Sequence, residues 1–130
     1  MAFLRAAATP KRILVVDDNQ DSAKSLATLL QLLGHEVTIA HNGLGAVELA
    51  EAFRPDAIVL DIALPDLDGS VVARRIRAES WGQQTLLIAA TGWGNADAQQ
   101  QSIEAGFDHY LVKPVDLMEL STLLEAPGRA

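Results

Sequence analysis

Ile13-Leu14-Val15-Val16 runs straight into Asp17-Asp18, and Ala57-Ile58-Val59-Leu60 runs straight into Asp61. Both apolar runs are short, rich in β-branched residues and free of polar alternation, which is how a strand buried on both faces of a parallel sheet reads. Two further runs, Thr85 to Ala90 and His109 to Val112, stop at Thr91 and at Lys113-Pro114. Open α/β sheets gather their ligands outside the carboxyl ends of the strands. If the runs share one parallel sheet, three acids, one hydroxyl and one lysine meet at a single edge.

The segments between these runs carry helix signals. A helix is expected from about Ser22 to Leu33, with Asp21 as its N-cap and Gly34 just past its end. Glu36 to Ala40 is a further strand. Asn42-Gly43 marks a turn into a helix over Leu44 to Phe53, which Arg54-Pro55-Asp56 stops. The loop from Ile62 to Gly69 holds the turn signals Pro65-Asp66 and Asp68-Gly69, and a helix follows over Ser70 to Glu79. Another helix begins at Asn95, covers Ala96 to Ala105 and ends at Gly106. Asp116 caps a last one reaching about Glu125. Five βα units joined by right-handed crossovers put helices on both faces of a parallel sheet. Repetition alone leaves the strand order open.

A chain of 130 residues makes one domain. It is 49% hydrophobic and 21% charged, which marks a globular chain rather than a disordered one. The net charge of -7 argues against a general nucleic-acid binder, which carries a basic face. Without cysteine there is neither disulfide nor thiol chemistry. The apolar stretch near the N-terminus is short and broken by Arg5, unlike a signal peptide, and no run is long enough to span a membrane. A cytoplasmic protein is expected, with residues 1–10 a flexible leader or linker, 11–125 the domain and 126–130 a flexible tail.

The pieces LVVDDN, VLDIALPDLDG, AATG and LVKP follow one another in that order, each at the end of a strand-like run. At these residues the chain resembles the receiver domain of two-component response regulators, the chemotaxis-regulator type. The resemblance extends over roughly Lys11 to Leu124, and the TGWG and AGFDHYLVKPVD segments resemble receivers attached to hybrid histidine kinases. It implies a flavodoxin-like (βα)5 three-layer sandwich with a five-stranded parallel sheet in the order 2-1-3-4-5. It also implies that Asp61 is the phosphoacceptor, taking a phosphoryl group from a phosphohistidine on a histidine kinase or histidine phosphotransfer protein. Asp18 would bind Mg²⁺ directly, Asp17 directly or through water, and Asp61 and the main-chain carbonyl of Ala63 would complete the protein ligands. Thr91 and Lys113 would each meet a phosphoryl oxygen. Pro114 would follow a cis peptide, and Thr91 with Tyr110 would form the switch. The output surface, for a partner or a second copy, would be the helix at 96–105, the strand at 109–112 and the last helix. Such a domain is a signalling phosphoacceptor, not an enzyme in the ordinary sense.

Charge supports the metal on its own account. Two carboxylates about 4 Å apart repel by roughly 4 kcal/mol at an effective dielectric of 20. Lys113 offsets one of three charges, and a hard divalent cation such as Mg²⁺ suits the rest. Other readings remain open. A degenerate receiver would act only by binding a partner. An aspartyl-nucleophile phosphatase would want a second acid at position 63, which is Ala63. A flavin or nucleotide binder would want a Gly-rich or hydroxyl-rich loop after the first strand, and this chain has acids there.

Several residues set this chain apart. In the family, positions two past the phosphoacceptor and two past the strand-four hydroxyl tune hydrolysis of the acyl phosphate. Ala63 and Trp93 stand there, and neither orients a water well, so slow self-dephosphorylation is expected. Trp93, flanked by glycines, either screens the phosphoryl group or faces a partner. The helix at 96–105, with Gln99-Gln100-Gln101 and Ile103 as its one large apolar residue, is expected to be loosely held. Leu29 and Leu32 fall beside the core face of the first helix, as core margin or as a docking site for the phosphodonor. His35, His41 and His109 read as surface residues, and Arg74, Arg75 and Arg77 as a solvated face.

Overall fold

A computed structural model describes residues 9–92 and 96–125. Its strands are β1 (Arg12–Val16), β2 (Glu36–Ala40), β3 (Ala57–Asp61), β4 (Leu86–Thr91) and β5 (His109–Val112). All pair in parallel in one sheet of order β2-β1-β3-β4-β5, as the family resemblance implies. The helices are α1 (Gln20–Leu32), α2 (Gly43–Phe53), α3 (Gly69–Ala78), α4 (Ala96–Ala105) and α5 (Leu117–Glu125), with a 3₁₀ turn at Ser80–Gly82. No helix among the described residues is long and apolar enough to cross a membrane.

The missing alternation in the strands has a simple cause. Leu14, Val16, Ile58, Leu60, Leu87 and Ala89 face a core shared with Ala46, Ala50, Val72, Ile76 and Ala105 of α2, α3 and α4. Their neighbours Ile13, Val15, Ala57, Val59, Ile88 and Ala90 face a second core with Ala23 and Leu30 of α1 and Leu120 and Leu124 of α5. Successive side chains point to opposite faces, both faces are covered, and every residue of β3 is buried.

The helices α1, α2 and α3 start one or two residues earlier than the sequence suggests, whereas α5 starts at its expected cap. Asn19, not Asp21, caps α1: its extended backbone lets the side-chain oxygen accept from the Ser22 N–H at 3.0 Å. Asp21 instead lies in the first turn, where its charge suits the helix dipole. Asn42 caps α2 through the Gly45 N–H, so the helix opens at Gly43. Asp116 caps α5, accepting from the amides of Met118 and Glu119. Asn95, expected at the start of α4, lies outside the described residues, as do the proposed leader up to residue 8 and the tail at 126–130.

Two surface assignments change. His35 is buried, and its Nδ1 accepts the Lys11 N–H at 3.0 Å. Burial lowers its pKa, the Lys11 charge acts in the same direction, and Glu125 opposes them. Arg77 belongs to no solvated face, although Arg74 and Arg75 are exposed. At the end of α3 its side chain is only 14% exposed and pairs with Asp108 at 2.8 Å. It also donates to the carbonyls of Gly106, Gly82 and Thr85. Asp108 in turn accepts from the Leu87 N–H. Among the described side chains of α4, Ser102 and Ala105 are buried, whereas Ile103, its one large apolar residue, is 57% exposed. Arg77 therefore holds α3, the start of β4 and the α4–β5 junction together. Arg77→Ala should lower stability by about 3 kcal/mol, the scale for stripping one partner from a buried ion pair. Urea unfolding of the two proteins measures this, and Arg74→Ala should change little.

Candidate functional site

Strand register delivers the acids and the lysine to one edge. β1 pairs with β3 so that Val16 faces Leu60, and the next residues, Asp17 and Asp61, emerge side by side. Asp61 faces Ala90 across β3 and β4, which puts Thr91 one step beyond. Thr91 faces Val112, which puts Lys113 one step further. Hydrogen bonds extend the ladders past the strand ends, from the Asp17 N–H to the Ala40 carbonyl, the Ile62 N–H to Ala90 and the Lys113 N–H to Thr91.

Asp17 and Asp61 are both 7% exposed and Thr91 is 1% exposed, whereas Asp18 is open to solvent. The Lys113 ammonium lies between the two buried acids, with Nζ 3.0 Å from Asp17 Oδ2 and 2.8 Å from Asp61 Oδ2. Burial by itself would lower the pKa of Lys113, but the bonds to Asp61 and Asp17 outweigh it and hold the ammonium above its usual range. Each acid has its other oxygen tied by the amide two residues on. The Asn19 N–H donates to Asp17 Oδ1 at 2.9 Å, and the Ala63 N–H to Asp61 Oδ1 at 3.0 Å. Both are Asx-type turns, which lock the carboxylate planes without side-chain help. The Lys113–Pro114 peptide is cis.

Oxygens of Asp17, Asp18 and Asp61 all lie within 4.8 Å of one another. A donor set made only of carboxylate oxygens is that of a hard divalent cation, and one ammonium leaves two of three negative charges uncompensated. The residues therefore fit Mg²⁺. Tyr110 is half-buried against the core under α2, α3 and α4. It faces Ala89, two residues before Thr91, so both belong to the same side of the sheet. The Ala63 side chain is exposed. Trp93 lies outside the described residues.

Two residues near this edge, His41, read as a surface residue, and Asp66, read as a turn signal, make contacts that the sequence did not reveal. His41 Nδ1 lies 3.2 Å from the Asp17 carbonyl oxygen, which only a protonated nitrogen can serve. Asp66 reaches back 23 residues to accept from the Gly43 N–H at 2.7 Å, and it also takes the Leu44 N–H at 3.0 Å. Those two bonds, Leu44 first, hold its carboxyl below the usual range. No periodicity signals a side chain capping a helix so distant in sequence. Beside the acids, a groove runs between α1 and the β5–α5 connection, lined by Ser22, Ser25, Leu26, Leu29, Pro114 and Val115. Leu29 is 43% and Leu32 75% exposed, so neither is core margin.

Comparison with known proteins gives one family throughout. The model of the response regulator receiver domain matches residues 13–125. Response regulator MprA of Mycobacterium ulcerans is 39% identical over 115 residues, which make up 88% of this chain and 49% of that protein. The chain thus spans about half the length of the curated relatives it matches. Among solved structures, the receiver domain of sensor histidine kinase PA1611 from Pseudomonas aeruginosa superposes with a TM-score of 0.82 at 36% identity, covering 90% of this chain and 96% of that one. That structure has a magnesium ion coordinated in its active site cleft. Chemotaxis protein CheY4 of Vibrio cholerae superposes with a TM-score of 0.84 at 26% identity, covering 90% and 98%.

The excess negative charge predicts a measurable penalty. Asp18→Asn should raise stability at low ionic strength by about 1 kcal/mol, the scale of a solvent-screened pair at this separation. In 1 M NaCl, where the Debye length is about 3 Å, the gain should largely vanish. Urea unfolding at the two salt concentrations checks both statements.

Proposed function

The chain belongs to the response regulator receiver family, and on that premise we propose that it is a phosphoacceptor of a two-component phosphorelay, with Asp61 as the residue modified. The observation that carries this reading is the buried Asp61 carboxylate, held on one oxygen by the Ala63 N–H and on the other by Lys113. A nucleophile so fixed has little orientational freedom to lose on reaching the transition state. An Asp61 oxygen attacks phosphorus, the P–O bond forms as the P–N bond to the donor imidazole breaks, and the electron pair stays with the departing nitrogen. Lys113 then exchanges a carboxylate oxygen for a phosphoryl oxygen, and the Thr91 hydroxyl meets another. Asp17, Asp18, Asp61 and the Ala63 carbonyl are the groups that would hold Mg²⁺, which when bound neutralises the acids and the incoming phosphoryl oxygens.

The partners follow from the same reading. The groove beside α1, with exposed Leu29 and Leu32 on that helix, suits docking of a histidine kinase or histidine phosphotransfer protein that brings its phosphohistidine over Asp61. Ile103, Val112 and Met118 are exposed on α4, the end of β5 and α5, and this is the face for an output partner or a second copy. Thr91 and Tyr110, on one side of the sheet, link the phosphoryl site to that face. Phosphohistidine donors of this kind place the domain in the cytoplasm.

Incubation with Mg²⁺ and acetyl phosphate should add the mass of one phosphoryl group. The addition should be absent without Mg²⁺ and in Asp61→Ala, as read by intact mass spectrometry. A folded protein that gains nothing from acetyl phosphate or from a phosphorylated histidine donor would instead be a receiver that acts by binding alone. The decay of the adduct tests the missing water-orienting group: Ala63→Asn should shorten its lifetime by about 10-fold, below the roughly 100-fold of a full general base because an amide orients the water without taking its proton.

A further inference from the structure

His41, Gly43 and Leu44 lie on one short corner, where β2 turns into α2, yet they touch both loops that carry the acids. On one side, His41 Nδ1 donates to the Asp17 carbonyl. On the other, the amides of Gly43 and Leu44 donate to the two oxygens of Asp66, midway along the β3–α3 loop that follows Asp61. The approach is close. A Cβ on Gly43 would stand 2.7 Å from Leu67 Cβ and 3.3 Å from Asp66 Oδ1, so only glycine lets the corner and the loop meet. The loop is also fixed at its two ends, where the Ile62 N–H bonds to Ala90 and the Gly69 N–H to Ile62. In its middle Leu64 and Leu67 pack against the core, and Asp66 supplies the tie to the β2–α2 corner, two residues before Asp68, whose carboxylate caps α3.

We propose that the β2–α2 corner is a bracket that sets the spacing between the Asp17–Asp18 loop and the Asp61–Ala63 loop, and that Asp66 is the positioning residue through which it holds the second loop. Asp66 touches none of the proposed metal ligands. It fixes the segment whose Ala63 amide orients Asp61 and whose Ala63 carbonyl is a proposed metal oxygen. The bracket rests on the Mg²⁺ reading above for its purpose, though not for its existence.

α2 has two caps, and this separates positioning from stability. Asn42 holds the helix start through the Gly45 N–H and makes no bond of this kind to the loop, whereas Asp66 bonds to it from the loop. Asp66→Ala should weaken Mg²⁺ binding, measured by isothermal titration calorimetry, by about 10-fold, the lower end for residues that orient metal ligands. Asn42→Ala should leave Mg²⁺ affinity within about twofold while lowering the unfolding midpoint as a lost N-cap does. Hydrogen exchange on the metal-free protein gives a second reading. In Asp66→Ala the amides of Ala63 and Leu64, which bond to Asp61 and Ile62 and not to Asp66, should exchange faster, and in Asn42→Ala they should not. Unchanged loop exchange in Asp66→Ala overturns the bracket. Faster exchange with unchanged Mg²⁺ affinity, or an equal loss of affinity in Asn42→Ala, overturns its role in ligand spacing. If the wild type itself binds no Mg²⁺, the metal reading fails, and the exchange result alone decides whether the bracket exists.

Discussion

One ammonium between two buried carboxylates governs the functional edge of this domain. Lys113 comes from the end of β5, Asp17 from the end of β1 and Asp61 from the end of β3, 96 and 52 residues away in sequence. Three parallel strands thus converge on a contact of about 3 Å. Without the lysine, two nearly buried acids would face each other at a cost of several kcal/mol at the effective dielectric of a protein. With it, two negative charges of three remain uncompensated, and that excess makes the edge receptive to a divalent cation. Gathering like charges in this way costs stability, as ionisable groups clustered at the carboxyl ends of strands commonly do.

Main-chain geometry does as much here as side-chain chemistry. The Asn19 and Ala63 amides pin the free oxygens of Asp17 and Asp61. Around them the β2–α2 corner contacts both loops, by His41 on one side and by the Gly43 and Leu44 amides on the other. A buried carboxylate held by a main-chain donor depends less on the exposed side chains nearby for its orientation.

The opposite end of the sheet has a different kind of hub. Arg77 gathers the carbonyls of Gly82, Thr85 and Gly106 and the carboxylate of Asp108, all near the end of α3 and the C-terminal end of α4. Ser102 and Ala105 are buried in that half of α4, while Ala96, Asp97, Gln99, Gln100 and Gln101 are exposed in the other. Among the described side chains the helix is therefore buried at one end and exposed at the other, which is the end nearer Thr91 in the chain. Few buried contacts mean a low local opening free energy. The Gln99-Gln100-Gln101 run made this legible in sequence, but the exposure of Ile103 did not follow from it.

Local chemistry was enough to read the strands, the helices and the residues at the strand ends. Short β-branched runs buried on both faces admit few alternatives, and Asp, Thr and Lys next to them are conspicuous. The strand order did not follow from repetition; it came through motif resemblance, and register then brought the acids together. What depended wholly on distant partners could not be read. His35 is buried with its Nδ1 satisfied by the amide of Lys11, 24 residues away. Arg77 is a hub because Gly106 and Asp108 fold back onto it. Asp66 caps a helix that precedes it by 23 residues. A sequence pattern records which face of an element is apolar, since that repeats with the element's own period. It does not record which distant donor meets a polar side chain, and only the packed tertiary structure decides that.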